Sequence, residues 1–572
     1  MNTDLSIPGS RQMNTLLDRS IIGIIFLTGV VYIGISGMRQ FNFDEFQVMY
    51  ASASLLRGKA LYADQIETHF PLTNIIMSAL VSFLGFRAST VLFARYFILV
   101  LNGITLFYIF RIGELLWSRR TGLIAVALSL CTVVFLDKGI EIRHDVFNSM
   151  FNVAGGYYLL RYLRERRYSC LFLSALLCGL AIASTQKALI WSIGIILGAV
   201  FYFFRERPCK DMGRVLLTYS VVIPIPLIVC ISFLAVVTNE SLYLFYQRSI
   251  VNVLISFSPF TGEVTPFPYD RYELFQQLFV QNNLFYLLSL CSILYTIVLW
   301  VKSGTEKIVI AIWALVGVLF YLTAKRPFYQ TFLPTIPVLA VLVGGFLSMI
   351  WKGLENASVK KAIVCCLSAF FLFVWPSNWI FKRIKNDPVK GRQMENISFC
   401  LATLKKRDKA LCFTQNQIFF DPVFTLTDSD CGRVLYDYDP ECFQWGMRNA
   451  QCKVVIYDYR TRLLPPAVQK KIRDNYVSAR SGDILVPGFV IKAKGDVEKD
   501  IWIKGYYYTP TRSLRVDGKQ VRDNLAYLTQ GKHVFDNVSN RPILLIYIFD
   551  KDNFLPRSAF RSERGRDQYL NP

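Results

Sequence analysis

The sequence predicts a polytopic α-helical membrane protein of about 11 transmembrane helices with additional interfacial helices, followed by a C-terminal soluble domain. Of its 572 residues, 53% are hydrophobic and only 18% are charged, and the mean hydropathy is +0.36. Such values are typical of chains that cross a bilayer many times. After Trp379 the composition changes: charged residues and turn dipeptides become frequent, and short segments alternate between apolar and polar residues as strands do.

The predicted membrane domain covers residues 1–382. Its spans are eleven apolar runs: 20–37, 89–110, 121–136, 146–160, 169–186, 188–204, 214–237, 283–301, 308–323, 331–350 and 361–380. The segment from Leu72 to Phe86 is about 15 residues long and therefore short for a span. We interpret it as an interfacial or re-entrant helix.

Lysine and arginine clusters predict which loops face the cytoplasm. Basic clusters follow the runs that end at residues 110, 160, 204, 301 and 350. If all of them lie inside, the eleven runs alternate correctly. The loops 38–88, 137–145 and 238–282 and the C-terminal domain then share the extracytoplasmic face of a cell membrane, which we take to be a bacterial inner membrane. The net charge of +22 fits this bias and an attraction to anionic lipids, so nucleic acid is not an expected partner.

The predicted extracytoplasmic domain covers residues 383–572, with an α/β part at 383–480 and a β-rich, β-sandwich-like part at 481–572. An apolar strand at Lys453–Tyr457 and a proline-led helix at Ala467–Tyr476 indicate the α/β part. Short strands separated by turns such as Asp517-Gly518 indicate the β-rich part. Four aromatic residues there are interpreted as core rather than as a sugar-stacking surface: Trp502, Tyr506, Tyr507 and Tyr508.

The acidic pair Asp44-Glu45 stands just after the first apolar run. The segment from Asp44 to Tyr62 has apolar and small residues at helical spacing, which predicts an amphipathic helix along the outer surface. Two interpretations of the acids stay open. They are solvated caps of that helix, or one of them is a base for a membrane-bound substrate.

A second charged loop, Glu141–Asp145, lies between two apolar runs. Asp145 opens the next helix, so N-capping is a sufficient structural explanation for it. The loop also carries His144, one of only three histidines in the chain. No HxxxH or CxxC spacing exists, so the sequence indicates no preformed metal site. A weakly bound divalent cation held by carboxylates and histidine stays open.

Two lysines stand in apolar surroundings, Lys187 after Thr185-Gln186 and Lys325 before Arg326. Snorkelling of the ammonium group to the membrane surface explains either one. The alternative is that they hold a lipid phosphate.

Taken in order, these segments resemble the GT-C glycosyltransferases that use polyprenyl-phosphate sugars. The most similar groups are the aminoarabinose lipid A transferases and the dolichyl-phosphate-mannose protein mannosyltransferases. The likeness covers roughly residues 20–350. It rests on the Asp44-Glu45 pair, the pattern A-x-x-L-x-x-G-x-x-L-Y from Ala53 to Tyr62, the Leu84-Gly85 ending, Asp145, the Thr185/Lys187 element, and Ala324-Lys325 followed by Tyr329 and Leu333–Pro337.

The resemblance implies an inverting sugar transfer on the outer face, without metal or with weak metal assistance. Asp44 takes the place of the first-loop catalytic aspartate and Asp145 that of the second-loop acid, while Glu45 is favoured as the structural member of its pair. The implied substrate-binding set is Glu45, Arg57, Tyr62, Glu67, His69, Arg143, His144, Lys187, Lys325, Arg326 and Tyr329. The run Glu67–Pro71 lacks the lysine of the Glu-Lys-Pro pattern, and the Thr-Lys-Gly element has an inserted Gln186 and no glycine.

The expected partners are therefore a polyprenyl-phosphate-linked sugar donor, the lipid bilayer, and an acceptor that is lipopolysaccharide, lipid A or another envelope glycan, with protein as the weaker alternative. A transporter or flippase of lipid-linked glycans is a second hypothesis, although no inverted repeat or paired broken helices support it. A non-catalytic membrane scaffold is a third. It leaves the ordered set of Asp44, Asp145, Lys187 and Lys325 without a purpose.

Overall fold

A computed structural model describes residues 8–65, 67–206, 209–251, 271–303, 306–324, 328–353, 389–413, 417–424, 439–458, 460–479, 483–511 and 513–549. Ten of the eleven predicted apolar runs form helices within these ranges. The eleventh, 361–380, lies outside the described residues.

The helices of the N-terminal part pack around one large apolar core. Their bounds are α1 Pro8–Met38, α2 Phe43–Leu56, α3 Leu72–Leu84, α4 Ala88–Leu116, α5 Arg119–Cys131, α6 Val133–Lys138, α7 His144–Glu165, α8 Tyr168–Ser184, α9 Ala188–Glu206, α10 Cys209–Val222, α11 Pro224–Thr238, α12 Leu242–Tyr246, α13 Arg271–Gln281, α14 Asn283–Ser303, α15 Lys307–Thr323, α16 Tyr329–Phe332 and α17 Ile336–Gly353.

Three predicted runs are each divided into two helices. In the run 331–350, the 3₁₀ turn Leu333–Thr335 separates α16 from α17. The run 121–136 breaks at Thr132, whose backbone is extended (φ −77°, ψ 135°). The run 214–237 is divided where Pro224 opens α11, because proline has no N–H to continue the hydrogen bonding of the preceding turn. The break at Thr132 places the short helix α6 directly before the charged loop Glu141–Asp145.

Six helical segments of the described residues are long and apolar enough to cross a membrane, and three shorter helices are also apolar. One of the shorter helices is α3, which has 13 residues. These helices make the chain a membrane protein. The total of eleven spans stays a prediction, as does the interfacial placement of α3.

The predicted amphipathic surface helix from Asp44 to Tyr62 is wrong in two respects. Helix α2 ends at Leu56, and eleven of its fourteen residues are buried. The C-terminal part covers it, since Arg57 donates to the carbonyl oxygen of Phe419 at 2.9 Å and the Arg460 guanidinium lies 3.7 Å from the Phe43 ring centre. A face that sequence reasoning assigned to the bilayer surface is instead packed against the same chain.

The C-terminal part contains three helices and two β-sheets. The helices are α18 Val389–Thr403, α19 Pro440–Asn449 and α20 Pro466–Asn475. The strands are β1 Lys409–Leu411, β2 Asp421–Pro422, β3 Val454–Ile456, β4 Tyr476–Ser478, β5 Ile484–Ile491, β6 Gly495–Ile501, β7 Gly505–Tyr508, β8 Leu514–Val516, β9 Lys519–Gln520, β10 Leu525–Leu528, β11 Gly531–Asn537 and β12 Ile543–Tyr547.

Eight strands form one sheet in the order β10-β7-β12-β5-β3-β1-β2, with β4 also paired to β5, and four form a second sheet in the order β6-β11-β8-β9. The first sheet is parallel only where β1 pairs with β2 and β3. Phe489 of β5 and Phe535 of β11 meet edge to face at 5.1 Å, so the two sheets share a core. Strands from both predicted parts, 383–480 and 481–572, lie in the larger sheet, and the domain boundaries stay predictions.

The aromatic residues of this region divide between core and surface. Trp502 and Tyr507 are buried, as predicted, whereas Tyr506 is 37% exposed. Tyr506 lies edge to face with Tyr527 at 5.1 Å. The core interpretation therefore fits Trp502 and Tyr507 but is wrong for Tyr506.

Candidate functional site

Asp44 occupies the first turn of α2, where its carboxylate is one-third exposed (32%). It forms an ion pair with Arg143, whose Nη2 donates to Asp44 Oδ2. A carboxylate at a helix N-terminus is favoured by the helix dipole. The structure thus presents Asp44 at an accessible edge with one cation beside it.

Glu45, the next residue, is completely buried and serves the fold. Its carboxylate accepts the backbone N–H of Asn42 at 2.7 Å, closing the N-terminus of α2. It also forms a two-point ion pair with Arg95, with distances of 2.7 Å from Nε and 2.5 Å from Nη2. The Ile142 N–H donates to it at 3.2 Å, so Glu45 ties α2 to α4 and to the second loop.

Arg143 joins the two acidic loops. Its guanidinium contacts both Asp44 and Glu141, and it is buried. Glu141 also accepts from Lys138 at 2.9 Å and from Arg39 at 2.7 Å. Burial opposes the charge on each group, but the neighbouring opposite charges outweigh it, raising the pKa of Arg143 and holding the pKa of Glu141 well below its usual value.

Asp145 lies in the first turn of α7, inside the helix and not at its N-cap. Arg143 is the N-cap residue, and no side-chain capping bond forms. The N-cap interpretation of Asp145 is therefore wrong. Asp145 is only 4% exposed, and its Oδ1 has no hydrogen-bond partner among the described residues. Its carboxylate is close enough to Arg143 to favour the guanidinium charge.

The face of α7 that continues from Asp145 is polar and buried. Asn148 donates no hydrogen bond through Nδ2, and the Ser149 hydroxyl has no partner within the described part of the chain. One turn further, Asn152 accepts from Ser192 of α9 at 3.0 Å. Buried polar groups are nearly always hydrogen-bonded in proteins, so unsatisfied groups in succession mark a surface built for a polar ligand or ordered water.

Glu67, His69 and His144 form a compact cluster beside this face. Glu67 Oε1 accepts from His69 Nδ1 at 3.0 Å, and Oε2 accepts from Asn74 at 3.0 Å. The imidazoles of His69 and His144 stack with ring centres 4.1 Å apart. Burial raises the pKa of the Glu67 carboxyl, but hydrogen bonds from His69 and the neighbouring imidazoles lower it to about 2.

The segment Thr185–Lys187 between α8 and α9, called the elbow below, also borders the site. Gln186 donates to the Thr68 carbonyl oxygen at 2.6 Å, which joins the elbow to the first loop. Thr185 is buried with an unpartnered hydroxyl among the described residues. Lys187 is half-buried, and its charge lies near His144. Lys187 forms no ion pair with another residue of the described ranges.

Of the remaining predicted residues, Tyr62 contacts the site through the backbone of His69, whereas Arg57 and Tyr329 have partners elsewhere. Arg57 lies at the far end of α2, about 20 Å along the helix from Asp44, where it binds Asp421 at 3.3 Å. Tyr62 is buried and donates to the His69 carbonyl oxygen at 2.7 Å. Tyr329 donates to Gln277 at 2.5 Å. Lys325 and Arg326 lie outside the described residues.

Sequence reasoning missed the cations that organise the acidic loops. Arg95 lies inside the second apolar run, 89–110. This position was a signal in the sequence, because a charged residue within a membrane span needs a partner. Arg39 and Lys138 stand at the ends of apolar runs and read as ordinary flanking charges. Arg39 pairs with Glu141 across 102 residues and Arg95 with Glu45 across 50, so no local pattern reveals these two pairs. Lys138 pairs with Glu141 only three residues on.

Residues 68–238 match a protein-family model described as dolichyl-phosphate-mannose-protein mannosyltransferase. The matched segment contains His69, Arg143, Asp145 and Lys187 but begins after Asp44. No curated protein sequence matches the chain.

Solved structures with the same fold include ArnT from Cupriavidus metallidurans bound to undecaprenyl phosphate, with TM-score 0.57 and 13% identity over 82% of this chain and 97% of ArnT. The oligosaccharyltransferase of Archaeoglobus fulgidus in its apo form matches with TM-score 0.53 and 12% identity, over 80% of this chain and 73% of that enzyme. The chain therefore has the fold of GT-C glycosyltransferases, and its resemblance to them is confirmed.

Proposed function

We propose that this chain is an inverting membrane glycosyltransferase that moves a sugar from a polyprenyl-phosphate donor to an envelope acceptor on the outer face of the membrane. One observation carries the proposal. A partly exposed carboxylate, Asp44, stands beside a buried polar surface whose groups, including Asp145 Oδ1 and Ser149 Oγ, lack partners among the described residues. Most buried polar groups in proteins are hydrogen-bonded, and the hydroxyls of a bound sugar would supply the missing partners here.

The proposed chemistry needs a base and cationic groups. The acceptor oxygen attacks the anomeric carbon, and its proton passes to the Asp44 carboxylate, which Arg143 orients. The bond from that carbon to the phosphate oxygen breaks on the opposite side, and its electron pair leaves with the polyprenyl phosphate. We assign stabilisation of the leaving phosphate to Lys187, which is half-buried and forms no ion pair within the described ranges.

The substrates are proposed from the relatives and from the chemistry of the site. ArnT was solved with undecaprenyl phosphate, and an archaeal oligosaccharyltransferase with dolichol-phosphate and an inhibitory peptide (TM-score 0.50). A long isoprenoid suits the exposed apolar helices that flank the site. We propose lipopolysaccharide, lipid A or another envelope glycan as the acceptor, and protein as the second choice.

Mass spectrometry of envelope glycans and lipid A from a deletion strain tests the function. Loss of one sugar that the wild-type chain restores is expected, and Asp44→Asn should fail to restore it, since removing a general base slows such a step by about 10² to 10⁴.

The matched control is Asp64→Asn in the same loop, an exposed carboxylate that binds the Ala60 N–H at 2.8 Å. It should restore the sugar fully. An unchanged glycan profile in the deletion strain overturns the transferase proposal, and restoration by Asp44→Asn overturns the role of Asp44.

A further inference from the structure

The cluster of Glu67, His69 and His144 is assembled from two loops that are 75 residues apart in the sequence. Each side chain offers one ligand atom, and these atoms all lie within 4.8 Å of one another. The cluster differs from the Asp44–Arg143 pair, in which a guanidinium already supplies the positive charge. We propose that these three residues form a site for one borderline divalent cation, with Zn²⁺ as the best match.

The charge balance of the site supports a cation. Three carboxylates in these loops are buried to 1% exposure or less: Glu45, Glu67 and Glu141. Glu45 is paired with Arg95, and Glu141 with two arginines and a lysine. Among the described residues, Glu67 has an ion-pair contact only with His69. A buried carboxylate facing two imidazoles lacks the permanent positive charge that the other two have.

The imidazoles have unused ligand atoms. His144 is 5% exposed, and its Nε2 has no hydrogen-bond partner among the described residues. His69 contacts Glu67 through Nδ1 and has Nε2 for a metal. Because Glu67 is itself a proposed ligand, the His69 ring must turn out of this contact for Nε2 and the Glu67 carboxylate to bind the same ion. Two imidazoles and a carboxylate favour Zn²⁺, Mn²⁺ or Co²⁺ over Mg²⁺ and Ca²⁺.

The carboxylate is already held in place for such a role. The backbone N–H groups of Thr68 and His69 each donate to Glu67 Oε1 at 2.9 Å, and Asn74 donates to Oε2. A tetrahedral zinc site places ligand atoms about 3.3 Å apart, so ligand atoms that are now up to 4.8 Å apart must approach one another by as much as about 1.5 Å. The stacked rings are parallel to within 11°, and a turn of His69, whose side chain is 27% exposed, directs its nitrogen inward.

Three protein ligands leave at least one coordination position open, on the accessible side of His69. We assign that position to a phosphate oxygen of the donor. This assignment rests on the function proposed above, whereas metal binding itself does not.

Co²⁺ titration of the purified full chain in detergent, after chelator treatment and with an affinity tag free of histidine, tests the site. One equivalent of Co²⁺ should give the visible absorption of a nitrogen-ligated ion, and Zn²⁺ should displace it. His69→Ala, His144→Ala and Glu67→Gln should each weaken binding by about 100-fold or more. His533→Ala is the matched control, because His533 is the third histidine and bonds Asp517 and Thr529 far along the chain.

Two results of the Co²⁺ titration would overturn the proposed metal site. Absence of a stoichiometric Co²⁺ spectrum overturns the site, as does an unchanged spectrum in the His69 and His144 variants. His69→Asn accompanies His69→Ala, and thermal unfolding of the metal-free variants separates lost binding from lost folding.

Inorganic phosphate, added to the Co²⁺ form, should shift the spectrum. A spectrum that phosphate leaves unchanged overturns the open-position assignment while the metal site stands. An unchanged glycan profile in the deletion strain, together with intact Co²⁺ binding, rejects the transferase alone.

Discussion

Asp44 and Glu45 are neighbours in the sequence but have opposite environments in the structure. Consecutive helical residues point about 100° apart, so one carboxylate of the pair faces the site while the other turns into the protein. Asp44 is 32% exposed and contacts Arg143. Glu45 is completely buried and accepts four hydrogen bonds, two of them from Arg95. At the scale of residues, therefore, the pair separates into a chemical group and a structural group.

Glu45→Gln should destabilise the protein strongly. It leaves the Arg95 guanidinium buried without a balancing charge, which destabilises a fold by about 3 to 5 kcal/mol. Thermal unfolding in detergent measures the loss. The double variant Glu45→Gln with Arg95→Met should recover much of it, and Glu165→Gln in the exposed Arg161–Glu165 pair should have no measurable effect. Equal stability of Glu45→Gln and the wild type contradicts the structural role.

Asp145→Asn should separate stability from function. The Asp145 carboxylate is buried with one oxygen unpaired among the described residues, so removing its charge relieves a desolvation cost. It also removes a negative charge that favours Arg143, and because the two effects oppose each other we expect little change in the melting temperature. Sugar transfer should fall by about 10² or more, as for other groups that stabilise a transition state. The same complementation and unfolding assays report both quantities. A lowered melting temperature with normal transfer shows instead that Asp145 is structural.

At the scale of elements, close helix contacts hold the frame in which the loops meet. Gly198 of α9 lies against α15, and a Cβ added there meets the Val309 Cα at 2.7 Å and its carbonyl oxygen at 2.8 Å. Backbone atoms cannot rotate away as side chains do. The approach of α9 to α15 therefore depends on glycine at this position, and α9 begins directly after the elbow that carries Lys187.

Gly198→Ala should accordingly destabilise the helix pair by about 1 to 3 kcal/mol through overpacking. Gly103→Ala in α4 is the matched control, because an added Cβ there meets nothing within 4 Å. Alanine favours helix over glycine, so the control should be neutral or slightly stabilising. Melting temperatures of the two variants in the same detergent provide the comparison, and equal values contradict the close packing of α9 and α15.

At the scale of the whole molecule, the C-terminal part fixes both ends of α2. Near the start of the helix, Gln393 of α18 donates to the Phe41 carbonyl oxygen at 2.9 Å and accepts the Phe41 N–H at 2.8 Å. Beyond its end, Asp421 binds Lys59 at 2.6 Å and Arg57 at 3.3 Å. The helix that carries Asp44 is thus positioned from a part of the chain more than 300 residues away.

Gln393→Ala should reduce sugar transfer several-fold while the protein remains folded, because two hydrogen bonds of about 1 kcal/mol each hold the segment before Asp44. Ser398→Ala on the same helix is the control, since its hydroxyl bonds only the Met394 carbonyl oxygen within α18. Complementation of the deletion strain measures both. Full transfer by Gln393→Ala would show that the C-terminal part is not needed to position Asp44.

Long apolar runs and their order could be predicted, and so could the loops that carry the candidate acids. The prediction worked for α4 and α7 because a helix of that length and hydrophobicity has few alternative structures in or out of a membrane. It failed for α2, since the same spacing of small and apolar residues fits a surface helix and a buried one. Asp145 failed as a cap for a similar reason, because helix boundaries shift by one or two residues with tertiary context.

By itself, the sequence determined that this is a membrane protein with helical spans, a strand-rich C-terminal region and acids in two loops, because these features depend on local composition and periodicity. Only the tertiary structure decided which charges meet. Arg143 reaches Asp44 across 99 residues and Arg95 reaches Glu45 across 50, and His144 stacks on His69 across 75. Such contacts are set by how helices pack, and electrostatic partners at those separations leave no trace in local spacing.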